Sequence, residues 1–429
     1  MKKDYKNRII DNVLDKITKV YNAVNIIGPK GCGKTTTASQ RVKTIIEFQN
    51  EEERENLLKI ASTSPIQFLK NPKPILFDEW QDAPKIWGTI RKDCDDNPLD
   101  VGSYYLTGSS SSNVKTPHTG TLRITSIRMN PMSLYEIGKS SGDVSLKNLF
   151  ENPNSFFGCK SNMSIDDIIN AICVGGWPRT LLFDDVELQQ IISKDLFKQT
   201  YTKDISAIDG VKRKPNLARA ILQSYARNIC TFAEMKTIYA DVNSNYSVSE
   251  PTFFEYVNAL EELYIIEDIE AWCPSIRSKS NIRSGKKRNF VDPSLAVAAL
   301  GLSPKYFYND FKTLGFLFES LCIRDLKAYS QSQNGVISYY HDRYGLEADC
   351  VLHLEDGRYA IIEFKLGESE VDIGAKHLCE IERLIDEYNK KEKQCPLRKP
   401  DLKIVITGTE YGYRRDDGVF VIPIGCLKD

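Results

Sequence analysis

Gly28-Pro29-Lys30-Gly31-Cys32-Gly33-Lys34-Thr35 fits GxxxxGK[ST] at every fixed position. The apolar run Ala23 to Ile27 before it reads as a strand, and Ala38 to Phe48 after it reads as a helix, which is the setting the pattern requires. Glycines let backbone N–H groups turn inward around phosphates, while the following helix aims its positive end at them. Lys34 then reaches the outer phosphates and the Thr35 hydroxyl is placed for magnesium. The candidate nucleotide loop comprises Gly28, Pro29, Lys30, Gly31, Cys32, Gly33, Lys34, Thr35 and Thr36.

Apolar residues at three- and four-residue spacing predict an amphipathic helix over about 5–21 ahead of this loop. Beyond it, Pro74 to Phe77 and Ser103 to Leu106 read as strands and Ala83 to Cys94 as a helix, so an α/β core with a parallel sheet runs to about residue 130. The strand Ile75-Leu76-Phe77 ends in Asp78-Glu79, one carboxylate to hold magnesium through water and one, Glu79, to act as base toward the attacking water. A guanine-reading [NT]KxD and a kinase acceptor site are both missing, which argues against a GTPase and a kinase. Thr107, in Thr107-Gly108-Ser109-Ser110, is either a sensor of the γ-phosphate or plain loop. Arg123 and Arg128 are either arginine fingers for a neighbouring subunit or surface and lid pairs.

After Pro131 the chain reads as helical, with a capping box at Ser164 to Asp167, a stop at Gly175-Gly176 and a long helix from Glu187 to Ile205. Helices at Thr231–Val242 and from Ser249-Glu250-Pro251, then the strand-like Tyr264 to Ile269, give a winged-helix pattern that tri-helical packing modules share. Five further strands and two helices beyond residue 285 predict a separate α/β domain.

In that domain Glu319, Asp349, Glu363 and Lys365 stand in the order of the PD-(D/E)xK nuclease core, with Ala348 where proline is usual. Asp349 and Glu363 are the candidate ligands of one or two magnesium ions, Glu319 an outer ligand, and Lys365 the group that positions water. A three-residue loop Glu355-Asp356-Gly357 with Gly357 left-handed sets Asp349 opposite Glu363 on one face, whereas a two-residue loop separates them. The bland alternative is a solvated Glu-x-Lys pair on an inactive nuclease fold.

The 57 Lys and Arg against 58 Asp and Glu exclude an overall electrostatic sponge for nucleic acid or anionic membrane. Arg277, Lys279, Arg283, Lys286, Lys287 and Arg288 form the one local basic run, read either as a DNA or RNA phosphate contact or as a solvated loop. Eleven scattered cysteines without CxxC pairs predict reduced cytosolic thiols. With no apolar signal core and no 18-residue apolar run, the expectation is a chain neither secreted nor membrane-bound.

The runs GPKGCGKTTTA, ILFDEWQDAPKIW, YYLTGSS, RMNPMSLYEIG, VGGWPRTLL, FVDPSLAVAALG, LGFLFESL, GLEADCVL and IIEFKLG resemble those of prokaryotic AAA+-type ATPases that carry an uncharacterised C-terminal domain. The resemblance implies a cytoplasmic protein with an ATP-binding core at 1–138, a helical lid at 139–212, a winged helix at 213–284 and a restriction-endonuclease-like domain at 285–429. Two functions stay open: an ATPase that repositions a nuclease on DNA, and an ATP-driven switch whose terminal domain binds nucleic acid or protein without cutting. A homo-oligomer and a monomeric ATPase both remain possible assemblies.

Overall fold

The computed structural model describes residues 5–108, 120–274, 285–392 and 394–429. Five strands, β1 (Ala23–Ile27), β2 (Thr44–Glu47), β3 (Ile75–Asp78), β4 (Tyr104–Thr107) and β5 (Ile124–Arg128), form an all-parallel sheet in the order β2-β3-β4-β1-β5. The inner strands β1, β3 and β4 are buried on both faces. Ile75 and Phe77 pack with Phe48, Phe68 and Ile86 on one side, while Leu76 packs with Ile10 and Leu14 of the first helix, Ile9–Ile17, on the other. Two covered faces explain the near-continuous apolar runs.

One element departs from expectation. The helix after the nucleotide loop ends at Ser39, and Thr44–Glu47 is strand β2, so Ala38–Phe48 is not one helix. The β-branched run Thr44-Ile45-Ile46 favours a pleated edge and pairs in register with Ile75, Leu76 and Phe77.

The middle of the chain is helical, with Ile165–Val174 capped by Ser164 and Asp167 as the sequence predicts. Helices Pro215–Arg227, Met235–Tyr246 and Glu250–Glu262 follow, then two extended segments joined by the antiparallel bridges Ile266 to Phe290 and Ile269 to Lys287. Short strands β6 (Val144–Ser145) and β7 (Cys159–Lys160) leave this region and join the C-terminal part.

There, β8 (Val336–His341), β9 (Glu347–His353), β10 (Tyr359–Lys365), β11 (Leu402–Thr407), β12 (Tyr411–Arg414) and β13 (Phe420–Pro423) form a mixed sheet with β7, ordered β7-β12-β13-β11-β10-β9-β8. The last strand, β14 (Leu427–Lys428), pairs with β6. Val371–Lys391 covers one face over Val351, Ile361 and Val405, and Phe311–Tyr329 covers the other over Leu352, Ile362 and Phe364. No helix among the described residues is long and apolar enough to cross a membrane.

Candidate functional site

The nucleotide loop leaves the carboxyl end of β1, where open α/β sheets bind ligands. Gly28 packs so closely under the chain that a Cβ there would lie 2.3 Å from the Met129 carbonyl oxygen, so only glycine fits. Lys34 is buried, and its ammonium donates to the Gly28 and Pro29 carbonyls at 3.0 Å each. The Thr35 hydroxyl donates to Asp78 Oδ1 at 2.7 Å, and the Thr107 hydroxyl donates to the same oxygen. The β3–β4 register explains this, since Asp78 and Thr107 are direct neighbours. Hydroxyl and carboxylate are the hard oxygen donors that magnesium takes.

Glu79 sits at φ 53° in the left-handed region, a conformation that costs a non-glycine residue about 1–3 kcal/mol, and Gln81 donates to its carboxylate. Lys30 pairs with Asp204 at 3.0 Å, Cys32 is buried under the loop, and Thr36 is exposed.

Two supports of the loop escape sequence reasoning. Arg8 is buried and donates to the Cys32 carbonyl, the Asn130 carbonyl and Glu136 Oε1, each at 2.8 Å, tying the first helix to the underside of the loop. Trp177 and Pro178 lie over its outer side: a Cβ on Gly31 would stand 3.9 Å from the indole, and one on Gly33 would stand 3.3 Å from the proline ring. The run around Trp177 was legible only as a helix stop. Its Nε1 donates to Ser294 Oγ at 3.0 Å, Gly176 N–H donates to Asp292 Oδ2 at 2.9 Å, and Arg324 donates to that same Asp292 oxygen at 3.1 Å. Two of the quoted sequence runs, at Gly176-Trp177 and at Asp292-Ser294, therefore meet Arg324 in one buried network that backs the loop.

Both arginines are paired within the chain. Arg123 precedes β5 at the end of the sheet away from the loop, because Ile124 pairs with Ala23, and it donates to Asp95 at 2.6 Å. Arg128 holds both oxygens of Glu267 at 2.7 Å and lies over the Tyr264 ring. The pairing alternative is the one the geometry favours for both.

In the terminal sheet the hairpin loop has three residues. Gly357 has φ 85°, Leu354 N–H donates to the Arg358 carbonyl at 2.8 Å, and His353 faces Tyr359. That register brings Asp349 opposite Glu363, as the three-residue reading requires. Asp349 Oδ2 accepts from the Phe364 N–H at 2.9 Å, and the Lys365 ammonium lies 2.6 Å from Glu363 and 3.8 Å from Asp349. Burial first, and then the Asp349 charge, push the Glu363 carboxyl up to about 8 against the pull of Lys365.

Glu319 arrives on the helix that covers the opposite face of the sheet; its carboxylate pairs with Lys287 at 2.7 Å, and it lines one cavity with Asp349 and Lys365. Burial raises it to about 7, Lys287 offsetting only part of that cost. Among the described residues, no three His, Cys, Asp or Glu side chains converge as a metal cluster. The pair Asp349 and Glu363 still suits magnesium, which is commonly held by one or two carboxylates together with substrate phosphate.

The basic run is corrected where it is described. Lys287 is buried against Glu319, Arg288 is buried against Asp268, and Lys286 pairs with Glu270 at 2.7 Å. An antiparallel bridge alternates side chains, and Lys287 and Arg288 both find interior acids. Arg277, Lys279 and Arg283, like Ser109 and Ser110, lie outside the described residues.

Three family models match the chain. Residues 20–138 match the AAA domain family, residues 165–306 a domain of unknown function (DUF8612) and residues 314–427 another (DUF4143). No curated protein matches the chain. Among solved structures, a Walker-type ATPase of Pyrococcus abyssi is 15% identical with a TM-score of 0.42, covering 70% of this chain and 97% of its own. AMPPCP-bound DnaA from Aquifex aeolicus is 12% identical with a TM-score of 0.23, covering 59% of this chain and 86% of its own. A STAND-type signal transduction ATPase with a tetratricopeptide repeat sensor from Pyrococcus horikoshii is 13% identical with a TM-score of 0.24, covering 77% of this chain and 50% of its own. The AAA domain match, on a parallel sheet with a complete phosphate loop, supports an AAA-type ATPase unit in the N-terminal part of the chain.

Proposed function

We propose that this protein binds and hydrolyses ATP at the loop Gly28–Thr36 and acts on nucleic acid through a metal-dependent nuclease site at Asp349, Glu363 and Lys365. The observation that carries the ATP half is the meeting of Thr35 and Thr107 on one oxygen of Asp78 beside buried Lys34. Loop N–H groups and Lys34 bind the phosphates, and Glu79 accepts the proton of the water that attacks the γ-phosphorus. Thr107 reports through Asp78 whether the γ-phosphate is present. Thr35 and Asp78 are the residues that would hold magnesium, whose charge would offset that of the phosphates. Phosphate release with radiolabelled ATP tests this: Lys34→Ala is expected to lose binding and turnover, and Glu79→Gln to bind ATP yet turn over at least 100-fold more slowly. Full turnover by both variants would refute the assignment.

In the terminal half, Asp349 and Glu363 are the residues that would hold a divalent cation, whose charge would polarise a phosphodiester. Lys365 Nζ orients water toward the phosphorus. Residues 213–284 are read as a winged helix, residues 139–212 as the helical lid, and the whole as a cytoplasmic protein. A second reading, in which the terminal domain binds nucleic acid or protein without cutting, rests on a specific observation: Glu363 is already paired with Lys365 and Glu319 with Lys287.

A further inference from the structure

Beside the carboxylates lies a cavity of about 690 Å³, walled by Phe232, Phe311 and Phe316 and floored by Glu319, Asp349 and Lys365. Its walls come from three separate stretches of the chain. Phe232 precedes the Met235–Tyr246 helix, Phe311 opens the Phe311–Tyr329 helix, and the floor is β9 and β10. Aromatic rings left facing solvent gain nothing from folding, yet Phe311 is 57% exposed and Phe232 38% exposed. Phe232 is nonetheless held: Tyr339 and His341 lie at 4.9 and 4.8 Å between ring centroids, and the Lys287 ammonium stands 5.3 Å from its centre.

Every nucleobase has a π-face, so exposed rings beside a phosphate-reactive floor suit stacked bases. In a duplex those faces are hidden in the helical stack. Lys312, exposed on the same wall as Phe311, supplies a cation for the backbone, whereas Glu347 and Glu370 also line the cleft and repel it. Entry of a phosphate then requires the charge of a divalent ion. Resting on the nuclease reading above, we propose that this cleft binds single-stranded nucleic acid, with bases stacked on Phe311 and Phe232 and the backbone led past Asp349.

The test is fluorescence anisotropy of the full chain in calcium with a labelled oligo(dT), an oligo(U) and a blunt DNA duplex of equal length. Either single strand is expected to bind at least tenfold more tightly than the duplex. Phe311→Ala is expected to weaken single-strand binding at least fivefold without changing duplex binding, and Phe311→Trp to restore it; the exposed position leaves folding intact. Equal affinity for single strand and duplex, no binding at all, or an unaffected Phe311→Ala would overturn the proposal. Binding preference with no cleavage in magnesium would overturn the nuclease reading alone, and cleavage without single-strand preference would overturn this one alone.

Discussion

Arg128 and Glu267 form a two-pronged ion pair across the joint between the parallel sheet and the paired segments at 266–290, with both contacts at 2.7 Å. Lys327, on the helix that also carries Glu319, completes the cluster at 2.9 Å from Glu267, and Gln331 donates to the Arg128 carbonyl at 2.6 Å. The strand beside the nucleotide loop is thereby bonded to the element beneath the terminal site. Arg128→Ala is expected to lower stability by about 1.5–3 kcal/mol, the worth of hydrogen bonds to charged groups. Its ATP turnover per folded molecule should persist, whereas an arginine finger would lose turnover and keep its melting temperature. Differential scanning fluorimetry alongside phosphate release separates the two.

The same cluster sets an acid limit. Burial alone would raise the Glu267 carboxyl, but Lys327 and Arg128 outweigh it and hold the group below its ordinary value. A carboxylate depressed in the folded state contributes stability above its unfolded pKa, about 4.3, and loses that contribution as pH falls through the folded value. Melting temperature measured from pH 6 down to pH 3 should therefore drop less steeply in Glu267→Gln than in the wild type.

Trp177 over the nucleotide loop gives a third expectation. Trp177→Ala removes a buried indole and should cost about 3–5 kcal/mol. Trp177→Phe keeps a ring against Gly31 and loses chiefly the bond to Ser294, a cost of about 1 kcal/mol. Thermal melts with and without ATP check both, and equal losses in the two variants would remove the packing argument.

The parallel sheet, the phosphate loop and the Asp349–Glu363 register were legible because each rests on local pattern: a strand before a glycine-rich turn, a strand ending in two acids, and a glycine fixing a hairpin length. What was not legible depends on distant partners. Nothing near Arg8 announces that it reaches the Cys32 carbonyl, and nothing near Arg128 announces Glu267. Lys286, Lys287 and Arg288 read as a free basic run because their acids, Glu270, Glu319 and Asp268, approach only in the fold. Glu319 has the right order along the chain, yet its helix covers the other face of the sheet.

Those pairs carry a fourth expectation. Lys287→Ala strands a buried carboxylate and should destabilise by about 3–5 kcal/mol, while Lys286→Ala at its half-exposed pair should change stability by less than about 0.5 kcal/mol. Neither Lys286 nor Arg288 should alter the salt dependence of nucleic-acid binding when substituted, as judged by anisotropy titrations at several salt concentrations. A flattened slope would restore the basic run as a contact.

The proposed cleavage site at Asp349 and its partners is tested most directly by incubating labelled single-stranded, duplex and branched DNA with the wild type and Asp349→Ala, in magnesium or manganese, with and without ATP. Cleavage by the wild type is expected, and Asp349→Ala should abolish it while its ATP turnover stays intact. No cleavage by a wild type that still hydrolyses ATP would contradict the proposed site and leave the terminal domain as a binding module.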